Sequence, residues 1–132
     1  MKILVVDDEL VSRKKMQVIM ENFGECMAVE SGPMGLDAFA DAISKGKPYD
    51  LVTLDVAMPD MDGTEVLFFI RELEKEHGIR RKKGVKAIMV TALADKNTVI
   101  TSIQAGCDAY VVKPFDKYTI LEKMKQLQLL NA

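Results

Sequence analysis

Four short apolar runs in this chain each end on residues that could do chemistry. Ile3-Leu4-Val5-Val6 runs into Asp7-Asp8-Glu9, and Leu51-Val52-Thr53-Leu54 into Asp55. Ala87-Ile88-Met89-Val90 ends on Thr91, and Ala109-Tyr110-Val111-Val112 on Lys113-Pro114. Runs of this length and composition read as buried parallel strands. A carboxylate at the end of such a strand is costly to desolvate unless something compensates it, which makes Asp55 the first candidate. Three acids brought together repel, and their titrations couple. A hard cation such as Mg²⁺ resolves the repulsion: it binds through one or two carboxylates and keeps waters that a phosphate replaces. Metal, lysine and a hydroxyl neutralise phosphoryl oxygens, and an aspartate carboxylate is a competent nucleophile toward phosphorus. Asp7, Asp8, Asp55, Thr91 and Lys113 therefore suffice for an aspartyl-phosphate made and broken in place.

The elements that must position these residues alternate along the chain. The first strand is followed by a helix from Val11 to Phe23, with Val11, Met16, Val18, Ile19, Met20 and Phe23 as its apolar positions and Gly24 as its stop. Cys26 to Val29 reads as a second strand. Ser31-Gly32-Pro33 starts a helix with Leu36, Phe39, Ala40 and Ile43 on one face, closed by Gly46. Tyr49 to Leu54 is the central strand, and Asp62-Gly63 opens a helix lined by Val66, Leu67, Ile70 and Leu73 and ended by Gly78. Asp95 caps a fourth helix stopped by Gly106, and Asp116 caps a last one carrying Ile120, Leu121, Met124, Leu127 and Leu130. Alternating strands and helices call for a parallel sheet covered on both faces. Right-handed crossovers then place all carboxyl-terminal strand ends on one edge, where open α/β sheets bind ligands.

The chain has 132 residues, 48% of them hydrophobic and 29% charged, with a formal net charge of −2. That fits one α/β domain over residues 1–132 and argues against a general nucleic-acid binder, which is expected to be strongly basic. The N-terminal apolar stretch is too short for a signal peptide, and no run approaches a membrane span. Cys26 and Cys107 form neither a metal-spaced pair nor a disulfide framework, and read as structural thiols of a reducing cytoplasm. Arg80-Arg81-Lys82-Lys83 reads as a solvated loop far from the acids, and His77 as a charge complement at a helix end. The nine methionines are mostly core filler.

Asp7-Asp8, Asp55, Thr91-Ala92 and Lys113-Pro114-Phe115 together resemble the receiver domains of two-component response regulators, of the CheY type, and the resemblance covers essentially the whole chain. It implies a flavodoxin-like fold with five parallel strands in the order 2-1-3-4-5. It also implies that Asp55 accepts phosphate from the phosphohistidine of a histidine kinase or phosphotransfer partner. Asp8, Asp55 and the backbone carbonyl of Ala57 would hold Mg²⁺, with Asp7 acting largely through water. Thr91 and Lys113 would bond the phosphoryl oxygens. The Lys113-Pro114 bond would be cis, and Tyr110 would turn inward as Thr91 moves, altering the surface of the fourth helix, fifth strand and fifth helix. That surface would bind an output protein or a second copy.

Two positions depart from the best-known member of that family: Ala57, two residues after the acceptor, and Leu93, two after Thr91. Neither side chain can orient a hydrolytic water, so the aspartyl-phosphate is expected to be long-lived. Two other readings stand beside this one, and the residues argue against both. Asp60-Met61-Asp62-Gly63-Thr64 spells the D-x-D-G-T string of haloacid-dehalogenase-type phosphatases, although Asp60 lies out in a loop beyond Pro59. A receiver-like module that ignores phosphate is the third reading. Met1 directly before the first strand reads as a natural start, and nothing marks the natural end.

Overall fold

Successive side chains of a strand point to opposite faces of its sheet, and here that alternation sorts the core into two. In the computed structural model, which describes residues 1–92 and 96–130, Leu4 and Val6 pack on one face of the sheet with Val52, Leu54, Ala87 and Met89. Ile3 and Val5 pack on the other with Leu51, Ile88, Val90 and Val111. The strands are β1 (Lys2–Val6), β2 (Glu25–Val29), β3 (Leu51–Asp55), β4 (Lys86–Thr91) and β5 (Ala109–Val112). They form one sheet in the order β2-β1-β3-β4-β5, and every pairing is parallel. The helices are α1 (Leu10–Met20), α2 (Gly32–Ser44), α3 (Gly63–Glu76), α4 (Lys96–Gln104) and α5 (Lys117–Gln126). Phe39 and Ile43 of α2 and Val66, Leu67 and Ile70 of α3 close the first face. Met16, Ile19 and Met20 of α1 and Ile120 and Met124 of α5 close the second. The doubly wound five-stranded architecture and its strand order are those expected.

Several boundaries moved, each for a local reason. α1 ends at Met20, not Phe23, and Val11 and Val18 lie 75% and 64% exposed. The buried stripe is Ser12, Met16, Ile19 and Met20, at the spacing of one helical face, and Val11 and Val18 fall beside it. Gly24 is not the helix cap. Its Cβ would meet the Met1 carbonyl oxygen at 2.0 Å, and the Glu25 N–H donates to that same oxygen at 2.9 Å. Glycine is required there because the N-terminus is laid across it. Tyr49 precedes β3 and is buried without belonging to it. α5 stops at Gln126, and Leu127, Leu129 and Leu130 pack against the second core from beyond its end.

The remaining punctuation is as read. Ser31, Asp62 and Asp116 cap α2, α3 and α5 through their side chains, and Gly46, Gly78 and Gly106 take positive φ past α2, α3 and α4. His77 sits at the end of α3 with Nδ1 2.9 Å from the Leu73 carbonyl oxygen. Residues 93–95, including Leu93 and the expected cap Asp95, lie outside the described residues.

Candidate functional site

The carboxyl-terminal ends of β1, β3, β4 and β5 bring the expected side chains to one edge. Asp55 closes β3 with all five of its residues buried, and is itself only 4% exposed. Asp7 follows β1 and is equally buried, whereas Asp8 faces solvent. One carboxylate oxygen from each of Asp7, Asp8 and Asp55 lies within 4.8 Å of the others. Lys113 Nζ stands between two of them, 3.2 Å from Asp7 Oδ2 and 3.4 Å from Asp55 Oδ2. The Lys113-Pro114 peptide is cis, as expected.

The backbone ties these groups together. The Val56 N–H donates to the Val90 carbonyl at 2.9 Å, fastening the residue after Asp55 to β4. The Lys113 N–H donates to the Thr91 carbonyl at 2.7 Å, fastening the lysine to the end of the same strand. Thr91 is buried and pairs in register with Val112. The Asp7 N–H donates to the Val29 carbonyl at 3.1 Å, and Asp7 Oδ1 accepts the Glu9 N–H at 2.9 Å, shaping the turn into α1. Lys15 of α1 donates to the Phe115 carbonyl and lies 4.9 Å over the Phe115 ring, so α1 grips the segment after the cis bond.

The loop after Asp55 folds back at once. Asp60 takes φ 68°, and the Gly63 N–H donates to the Val56 carbonyl at 3.0 Å. A Cβ at Gly63 would stand 2.4 Å from the Asp55 carbonyl oxygen. Only glycine lets the start of α3 rest on the strand end that carries the acid. Asp62 accepts the Glu65 N–H at 2.9 Å and the Thr64 hydroxyl at 2.6 Å, with Glu65 completing a capping box. The Asp60-to-Thr64 string is thus the loop and cap that start α3.

Burial raises the Asp55 carboxyl to about 7 from an ordinary 3.8; the Asp7 charge adds to this and Lys113 opposes it. The Lys113 ammonium is held above its usual range by Asp55 and Asp7 against the opposing effect of burial. A buried carboxylate crowded by a second acid, with one ammonium between them, is a group poised for a cation or a phosphoryl group. The donor set is all oxygen and partly open to solvent through Asp8, which fits Mg²⁺.

Tyr110 of β5 lies 37% exposed beside Met89 in register, with Lys123 Nζ 5.7 Å from its ring centroid. Sequence reasoning overlooked a second polar cluster, on the opposite edge. Arg71 of α3 donates to Glu74 Oε1 at 2.8 Å, to the Val85 carbonyl at 2.8 Å, to the Gly106 carbonyl at 3.0 Å and to Asp108 Oδ2 at 3.2 Å. Glu74 Oε2 accepts the Val85 N–H at 2.6 Å. Arg81, read as part of a solvated loop, joins the cluster through Gly106 and Asp108, and its neighbours form a 3-10 turn, Arg81–Lys83. The signal available was two charged residues, Arg71 and Glu74, on the same turn as the apolar Ile70.

Residues 3–125 match the family model of the response regulator receiver domain. Chemotaxis protein CheY of Bacillus subtilis is 33% identical over 129 residues, covering 95% of this chain and 95% of its own. Transcriptional regulatory protein ResD of the same organism is 36% identical over 126 residues, covering 96% of this chain but 47% of its own, so the chain spans about half of that relative. Among solved structures, the receiver domain of the histidine kinase CKI1 from Arabidopsis thaliana, complexed with Mg²⁺ and BeF₃⁻, aligns with a TM-score of 0.78 at 29% identity, covering 94% of this chain and 89% of that one. Five parallel strands in the order 2-1-3-4-5, an acid cluster at their carboxyl edge and these matches agree, and a dehalogenase-type phosphatase is set aside: this chain belongs to the response regulator receiver domain family, the phosphoacceptor signalling domains of two-component systems.

Proposed function

We propose that Asp55 is the phosphoacceptor and that residues 1–132 act as one receiver domain which catalyses its own phosphorylation and dephosphorylation. The observation that carries this is Lys113 Nζ, held 3.4 Å from Asp55 and 3.2 Å from Asp7 at the sheet edge. A carboxylate oxygen of Asp55 attacks the phosphorus of a phosphohistidine on a histidine kinase or phosphotransfer protein. The new P–O bond forms as the P–N bond breaks, and the imidazole nitrogen leaves with the bond's electron pair and takes up a proton. Asp7, Asp8, Asp55 and the Ala57 carbonyl would hold Mg²⁺, which when bound keeps Asp55 ionised and neutralises phosphoryl oxygens. The Mg²⁺ and BeF₃⁻ complex of the CKI1 receiver supports that assignment. Lys113 donates to one phosphoryl oxygen and the Thr91 hydroxyl to another.

Drawing Thr91 toward the phosphoryl group moves the segment that follows it, and Tyr110 turns inward from its exposed position, so the α4-β5-α5 face changes. A ligand shifts such an equilibrium only by its differential affinity for the two states, and going from 1:99 to 99:1 takes about 5.5 kcal/mol. The partner read from that face is an output protein or a second copy, and the compartment is the cytoplasm; among the described residues no helix is long and apolar enough to cross a membrane. Intact mass after incubation with acetyl phosphate and Mg²⁺ tests the assignment. Wild type gains one phosphoryl group and Asp55→Asn gains none; an undiminished adduct in the variant sinks it.

A further inference from the structure

The groove between α3 and α4 is lined by Phe68 and Phe69, with Glu65 on its α3 wall, and plays no part in the acid cluster. It has a volume of about 460 Å³, with Phe68, Phe69, Thr101, Gln104 and Ala105 among its lining residues. Phe68 and Phe69 are 56% and 44% exposed, and their rings meet edge to face with centroids 5.5 Å apart. Together they leave roughly 200 Å² of aromatic surface in water, about the area of one whole ring side chain. The cleft exists because α4 lies shallow on the sheet: from Asn97 to Gln104 only Ser102 is buried. An aromatic pair left in water on an otherwise polar helix face marks a surface that something covers.

The charge around the pair says what. Glu65, Phe68, Phe69, Glu72 and Glu76 recur at spacings of three and four and so form one stripe of α3. Glu72 is paired with Lys75 at 3.4 Å on the exposed surface, which is a weak tie. The opposite wall, Asn97 to Gln104, carries no charged side chain. The basic Arg80 to Lys83 turn begins beyond the end of α3, more than about 12 Å along the axis from Phe68 by helical rise. A second copy fits badly. Two α3 helices paired antiparallel about the phenylalanines would set Glu65 of each against Glu72 of the other, like charge on like.

We propose that the α3-α4 groove binds a cationic amphipathic helix of a partner protein. Leucine-like residues of that helix at i, i+3, i+4 and i+7 cover Phe68 and Phe69, and its lysines or arginines meet Glu65 and Glu72. The binding uses neither Asp55 nor Lys113.

The test uses the whole chain and a fluorescein-labelled synthetic helix of lysine and leucine with leucines at that spacing, followed by anisotropy. Two control peptides accompany it, one with glutamate in place of lysine and one of scrambled order. Wild type binds the lysine-leucine helix at one saturable site, and its amide shifts gather at residues 64–72 and 97–105. Phe68→Ser with Phe69→Ser weakens binding at least about tenfold. Glu65→Gln with Glu72→Gln, which keeps the capping box, weakens it about three- to tenfold. Equal binding of either control peptide, shifts centred on Asp7, Asp8 and Asp55, or unchanged affinity in both variants overturns the proposal. So does self-association of wild type that the phenylalanine variant abolishes, since the occupant is then a second copy.

Discussion

In EDTA, Asp55 should make this fold lose stability as pH rises through the weakly acidic range. The carboxyl titrates near 3.8 in the unfolded chain and at about 7 in the folded one, because burial and the Asp7 charge penalise its ionised form more than Lys113 favours it. The folded state therefore binds the extra proton between those two values. Stability then falls as pH rises across the window and levels off above the folded value. At about 1.4 kcal/mol per pH unit, the interval from 3.8 to about 7 amounts to about 4 kcal/mol, of which about 3 kcal/mol falls between pH 5 and 8. Asp55→Asn removes the titration but keeps a polar side chain of nearly the same shape. Urea unfolding of both proteins at half-unit pH steps in EDTA reads the difference between them. Titrating groups remote from Asp55 are common to the two proteins and cancel in that difference. Wild type should lose about 3 kcal/mol relative to the variant between pH 5 and 8. Parallel pH profiles would show that desolvation and the Asp7 charge do not govern Asp55.

Three further outcomes are expected. Asp8→Ala should weaken Mg²⁺ binding in a calorimetric or fluorescence titration by removing both a ligand and a charge, and equal affinity would place the metal elsewhere. The aspartyl-phosphate should persist for minutes to hours, because Ala57 offers no side chain to orient water, an aid worth about 10²–10⁴-fold. Loss of label within seconds, with no phosphatase added, contradicts this. Glu74→Ala should destabilise the fold by about 3–5 kcal/mol in urea unfolding, since it leaves Arg71 buried without its nearest acid. A loss under 1 kcal/mol would mean that Asp108 and the Val85 and Gly106 carbonyls satisfy the guanidinium without it.

The gathering of Asp7, Asp55, Thr91 and Lys113 at the carboxyl edge was legible because each follows an apolar run. Buried parallel strands are predominantly apolar, so Asp7, Asp55, Thr91 and Lys113 stand out as polar residues at the carboxyl ends of β1, β3, β4 and β5. The handedness of the crossovers then leaves one edge for all of them. Helix starts at Ser31, Asp62 and Asp116 were equally readable, because a cap is a local hydrogen bond.

What needed the tertiary structure is what depends on contacts between distant segments. Val11 and Val18 look like core positions of α1 until the sheet decides which stripe it buries. Gly24 reads as a helix stop, yet it is small because Met1 crosses it, and Gly63 is small because α3 rests on the Asp55 carbonyl. Arg71, Glu74 and Asp108 look like three surface charges in sequence. Only the meeting of α3, the start of β4 and the turn before β5 buries them together and draws Arg81 in. The exposed Phe68 and Phe69 likewise share a stretch of α3 with buried Leu67 and Ile70. Their spacing with Glu65 and Glu72 already sets them off the buried stripe of α3, but only the fold shows that α4 leaves them uncovered.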